Sequence, residues 1–177
     1  MNTLSHKLIA GTIAATFAWG SAAAHAQAAP DDAQIAGIVV AANNVDIDAG
    51  KLAQKMTKNK EVKAFAKQMV TDHSGVNKQA VALVTRLKVT PQDSELSKSL
   101  KQGGSDNLAK LKALKGKAFD KAYVEHEVVY HQAVIDALDK TLIPNAKNAE
   151  LKDTLVKVRP AFVAHLEHAR HLEAALK

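Results

Sequence analysis

Residues 60–88, KEVKAFAKQMVTDHSGVNKQAVALVTRLK, decide the fold. Within them Val62, Ala66, Met69, His73, Val76, Ala80, Leu83 and Leu87 recur in unbroken steps of four and three, the spacing that keeps side chains on one stripe of a helix. His73 is the one polar member of that stripe. Three more stretches share the rhythm. Ile35, Ile38, Ala42, Val45, Ala49, Leu52 and Met56 form the first; Val124, Val128, His131, Ile135, Leu138 and Leu142 the third; Leu151, Leu155, Val158, Phe162, His165, Ala169, Leu172 and Leu176 the fourth. Four apolar stripes predict an all-α protein of four packed helices.

The boundaries follow from local chemistry. Asp31 or Asp32 after Pro30 is placed to cap a first helix over 32–56, because a short acceptor side chain satisfies the free N–H groups of a first turn. The turn at 57–59 is short enough to return helix two, 60–88, antiparallel to helix one. Residues 89–117 contain Pro91, the Gly103-Gly104 pair and Gly116, which predicts an irregular connection with one short extra helix over 105–114. A connection this long can travel the length of a bundle. Such a crossover makes helices two and three parallel, the ferritin-like four-helix topology. Helix three is expected over 118–142, a turn at Pro144-Asn145, and a fourth helix to the C-terminus with Pro160 inside it and a kink shortly before His165.

Residues 1–26 read as a signal peptide, leaving one domain over 27–177. Lys7 supplies the positive start, 8–20 are uncharged and mostly apolar, and Ala24-His25-Ala26 offers small residues for cleavage. That run is too short for the roughly 18 to 20 residues of a membrane span. The expected destination is the periplasm or the exterior. With no cysteine among 177 residues, stability must come from packing rather than disulfides. Of the formal charge of +6, Lys7 accounts for one. Lysines such as Lys63, Lys67 and Lys78 are spread over polar helix faces, and aromatic residues make up 4% of the chain. Nucleic-acid binding calls for a concentrated basic stripe with stacking aromatics, so it is not expected. This exterior suits weak attraction to anionic lipid head groups or other envelope components.

The chemistry lies in the stripe histidines. Counted from the intervening turns, His73 falls opposite Asn43, Asn44 and Asp46, and in the crossover topology His73 and His131 share a level. His165, reflected through Pro144-Asn145, falls near Glu125 and Val128, one to two turns from His131. Glu127 and His131 stand four apart on one helix face. His73, His131 and His165 with a carboxylate from Asp46 or Glu127 make a donor set suited to zinc, copper(II) or iron. Met69, one turn before His73, offers a thioether for copper(I). Val70 and Val128 stand where a carboxylate-bridged di-iron pair of E-x-x-H motifs would need glutamates, so a ferroxidase centre is not expected. Alternatively the three rings are hydrogen-bonded core residues forming a buried polar layer, with Asp72 orienting His73. His126 and His171 are expected on the surface.

The stretches DIDAGKLA (46–53), VKAFA (62–66), MVTDH (69–73) and FDKAY (119–123), with His131, Pro160 and His165-Leu166, resemble a bacterial exported family of unknown function, often labelled predicted outer membrane proteins. The resemblance spans nearly the whole chain beyond the leader. It implies a ferritin-like four-helix fold in the cell envelope and no settled activity. Position 46 departs from the family's usual glutamate, and the aspartate here shortens the reach of any ligand. The expected function is metal binding or a buried polar layer in a binding or stress-protection role. A structural or adaptor bundle contacting envelope components through its basic surface is the alternative; a single-metal oxidoreductase is a third reading without a recognisable catalytic signature.

Overall fold

The computed structural model describes residues 29–176, and the expected signal peptide lies outside them. The described chain is all-α. Helix α1 spans Asp32–Met56, α2 Lys60–Leu87, α3 Glu95–Lys112, α4 Gly116–Ala137 and α5 Ala149–Ala175. After Ala137, α4 continues through a π-helical turn, Leu138–Leu142, and a last helical piece, Ile143–Asn145. Among the described residues no helix is long and apolar enough to cross a membrane.

Caps start the helices where short polar side chains allow. Asp31 accepts from the Gln34 N–H while the Gln34 side chain accepts from the Asp31 N–H, a reciprocal box that satisfies two otherwise free donors. Asn59 caps α2 and Asn148 caps α5, each accepting two backbone N–H groups. Asp32 also binds the Lys147 and Asn148 N–H groups at 2.8 and 2.9 Å, which pins the α4–α5 turn to the start of α1.

Two apolar clusters fix the directions. Ile35 and Ile38 of α1 pack with Leu83 of α2, Leu138 and Leu142 beyond α4, and Leu151 and Leu155 of α5. At the other end Ala49 and Ala53 pack with Val62 and Phe65, Phe119 and Tyr123, and Ala169 and Leu172. Helices α2 and α4 therefore run parallel, as do α1 and α5. The long crossover is present, and the bundle has four principal helices.

The extra helix is a correction. It begins ten residues earlier than the glycines suggested, at a capping box formed by Ser94 and Ser97. Gly103 and Gly104 lie inside it. Two mid-helix glycines cost roughly 1 kcal/mol each relative to alanine, but a Cβ on Gly104 would stand 2.7 Å from Val45 Cγ2, so the glycine lets α3 press onto α1. Gly50 performs the same service between α1 and α2, where a Cβ would meet the Ala66 carbonyl at 3.0 Å. The Pro144-Asn145 turn is a second correction. Those residues remain helical and the chain reverses over 146–148. Pro160 sits on the exposed side of α5, which continues through it without a break.

Candidate metal centre

Between the two apolar clusters lies a buried polar layer. Asn43 and Asp46 enter from α1, His73 from α2, Glu127 and His131 from α4, and His165 from α5; none is more than 3% exposed. The three imidazoles form a compact triangle, with ring centroids 5.6 Å apart for His73 and His131, 5.3 Å for His73 and His165, and 5.4 Å for His131 and His165. Phe162 closes one side against His73, centroids 5.2 Å apart.

His165 thus stands level with His131, not one to two turns away. Moving the reversal from Pro144-Asn145 to 146–148 shifts the α5 register by twice the displacement, since residues are gained on one helix and removed from the other. The helix-continuing character of Ile143–Asn145 was the missing signal.

Each ring spends one nitrogen on an oxygen and leaves the other bare. His73 Nδ1 lies 2.7 Å from Asn43 Oδ1. The Asn43 amide is fixed by its own donation to the Val39 carbonyl at 2.8 Å, so its oxygen faces the ring and His73 must donate. His131 Nδ1 donates to the Glu127 carbonyl at 3.0 Å. His165 Nε2 donates to Asp72 Oδ2 at 3.0 Å. A neutral imidazole has one N–H and one lone pair. The remaining nitrogens, His73 Nε2, His131 Nε2 and His165 Nδ1, therefore carry lone pairs, and all three are buried without a hydrogen-bond partner. Asp72 holds His165 across the helix interface rather than orienting its neighbour His73.

The carboxyls complete the layer. Asp46 Oδ2 lies 3.5 Å from His73 Nε2, so the shorter side chain still reaches. Glu127 Oε2 lies 3.4 Å from His131 Nδ1. Two overlapping sets of donors result: one atom each from His73, His131 and His165 lies within 4.8 Å of the others, and so does one each from Asp46, Glu127 and His131. All five candidate residues named from sequence are brought together. Met69 instead packs in the apolar cluster with Val62 and Phe65.

Burial sets the protonation. It pushes His73 down to about 2 and His131 to about 4, with neighbouring imidazoles adding to the effect. His165 is also lowered by burial, against the opposing pull of Asp72. Asp46 is raised by burial and then by the charge of Glu127. Glu127 is likewise raised by burial, opposed by its approach to Asp46 and Tyr123. Charge in a dry interior is costly unless compensated, so without a cation this layer holds neutral imidazoles and a carboxyl pair that retains protons.

Several members were not legible beforehand. Tyr123 is fully buried with its hydroxyl unpartnered beside Glu127, and burial raises it well above its ordinary value. Its signal was available: Tyr123, Glu127 and His131 stand four apart on one face of α4. Tyr130 donates to the Ala42 carbonyl at 3.0 Å, tying α4 to α1. His126 is half-buried, not on the surface, because α3 lies over α4 there; it stacks on Tyr130 and burial lowers it to about 4. His171 is exposed as expected.

A family profile described as a domain of unknown function, DUF4142, matches residues 18–172. No curated protein and no solved structure matches the chain.

Proposed function

For a chain that belongs to this family of unknown function, we propose a role argued from its own residues: the bundle holds one divalent transition-metal ion in its dry middle. The observation that carries the proposal is three buried imidazoles that each bring one ring nitrogen within 4.8 Å of the others, each ring having one nitrogen on an oxygen partner and the other bare. Outer oxygen partners of this kind set the tautomer and the ring orientation of ligating histidines. An unsatisfied buried polar group costs about 1 to 3 kcal/mol, against a whole-domain stability of about 5 to 15 kcal/mol. A bound ion offsets several such costs at once.

Charge supports a divalent ion. Asp46 and Glu127 together supply two negative charges once deprotonated, and the three imidazoles supply none. A 2+ ion then leaves the layer neutral. Zinc, copper(II) and iron(II) all accept imidazole and carboxylate, whereas the thioether that would favour copper(I) lies in the apolar cluster. His73, His131 and His165 would bind through nitrogen, with Asp46 and Glu127 closing the shell through oxygen. Phe162 shields one side, which suits holding an ion more than turning over a substrate.

The wider reading follows the same line. The crossover topology fits a ferritin-like bundle, and the leader-like pattern of 1–26 supports a periplasmic location, where tight metal holding would serve envelope stress protection. The exposed lysines Lys63, Lys67 and Lys78 suit contact with anionic envelope components, which is the adaptor alternative. Metal content separates the two. Protein purified from its native compartment carries one ion per chain on the metal reading, and a folded His73→Ala, His131→Ala double variant carries none. Equal, negligible metal in both rejects it.

A further inference from the structure

An ion bound at this depth needs a way in, and the flanks of the bundle differ. On one side α3 covers α1 and α4, with Gly104 pressed on Val45 and Leu111 sunk into the apolar cluster. Among the described residues no helix covers the opposite side. There α2 and α5 meet through polar side chains: Asp72 with His165, and one turn along Gln68 with His168. The outer partners of the three rings differ in the same sense. Asn43 is 1% exposed and the Glu127 carbonyl belongs to a residue 0% exposed. Only the Asp72 side chain, 42% exposed, reaches solvent.

We propose that Asp72 and His165 form the gate through which a divalent cation reaches the buried centre. His165 spans the wall of the bundle, its Nε2 on the half-exposed carboxylate and its bare Nδ1 on the interior. Asp72 is the first ligand of an incoming cation. In taking it, the carboxylate gives up its hydrogen bond from Nε2–H, which frees the His165 side chain to swing and let the ion pass. No covalent bond changes; one hydrogen bond is exchanged for coordination and is restored behind the ion. Asp72 is a positioning and admitting residue, not one of the final ligands.

This inference rests on the metal reading, and kinetics separates the two. The probe is cobalt(II) alone, followed by its visible absorption, added to metal-stripped full-length protein and then removed by excess chelator. A gate residue lowers the barrier in both directions. Asp72→Asn, which keeps the volume and an acceptor oxygen, is expected to slow uptake at least tenfold and to slow release by a similar factor, leaving the Kd within about threefold. Asp72→Glu should keep fast uptake. Asp48→Asn, which removes an exposed carboxylate on a different helix, α1, should match wild type. A residue that merely orients His165 behaves otherwise: uptake is unchanged and release is faster. That pattern, or unaltered rates in Asp72→Asn, overturns the gate. Failure of the wild type to bind cobalt overturns the metal reading itself, and the gate with it.

Discussion

The apolar cluster around Phe65 and the polar layer beside it lie side by side in one bundle and are buried to the same degree, yet they differ in what burial does to them. Phe65, Phe119 and Leu111 are each 0% exposed and lie among apolar neighbours. His73, His131, Glu127 and Asp46 are as deeply buried and retain polar atoms with nothing to bond. Equal burial therefore has opposite thermodynamic meaning in the two regions. The cluster stabilises the fold through what it excludes from water, while the layer costs stability until something of opposite charge enters it.

The largest expected effect breaks the apolar side. Phe65→Ala should lower unfolding stability by about 3 to 5 kcal/mol, by the same amount in metal-stripped and metal-loaded protein, as read by denaturant titration. A loss that depends on metal would show the two regions to be coupled.

Acid should act on the polar side. In metal-free protein His131 has a folded pKa of about 4 against an ordinary 6.5, so between these values the unfolded chain binds the proton and the folded chain does not. Stability then rises with pH across that window and is lost on acidification from about 6.5 toward 4. For His131 alone the shift corresponds to about 3 kcal/mol, and His73 and His165 act in the same direction. Asp46 and Glu127 oppose it, since their raised folded values mean the folded chain holds protons the unfolded chain releases above about pH 4. The histidines outnumber them, so the melting temperature of metal-free protein should fall steadily below pH 6.5. A flat profile would mean the rings are not held neutral.

Next in size is the response to metal. A ligand that binds only the folded state at a hundred times its Kd adds about 2.7 kcal/mol, and His131→Ala should abolish that gain while Asp48→Asn leaves it intact. Thermal melts with and without zinc, copper(II) or iron(II) give the answer and rank the metals. The smallest effect lies outside both regions. Arg159 makes a two-pronged pair with Asp139 at 2.6 and 2.7 Å, but both side chains are 39% exposed, and surface pairs contribute about 0 to 1 kcal/mol. Asp139→Asn should cost less than about 1 kcal/mol, and a larger loss would mean that the π turn containing it depends on the pair.

Much of this contrast was readable from residue spacing. A stripe of steps of three and four states what a helix buries, so a histidine in mid-stripe is already a buried polar group, and His73, His131 and His165 followed directly. The Asp31 cap and the turn at 57–59 were likewise local features. Height along the bundle was not local. The level of His165 depended on whether Pro144 and Asn145 stayed helical, a choice settled by packing and by the Asp32 hold on the following turn. Gly103 and Gly104 looked like breakers because propensity is a local quantity; the contact with Val45 that favours Gly104 is made by a distant helix. The half-burial of His126 is not local either, since it comes from α3 packing over α4. Asp72 was assigned to its sequence neighbour when its partner lies on α5.

The most direct test of the central claim is X-ray absorption at the metal edge of protein loaded with a single equivalent of zinc. Convergent lone pairs predict a first shell of nitrogen and oxygen at about 2.0 to 2.2 Å with the multiple-scattering pattern of three imidazoles, reduced to two in His165→Ala. A shell of oxygen alone, or a spectrum unchanged by losing His165, would contradict a centre built on the three rings.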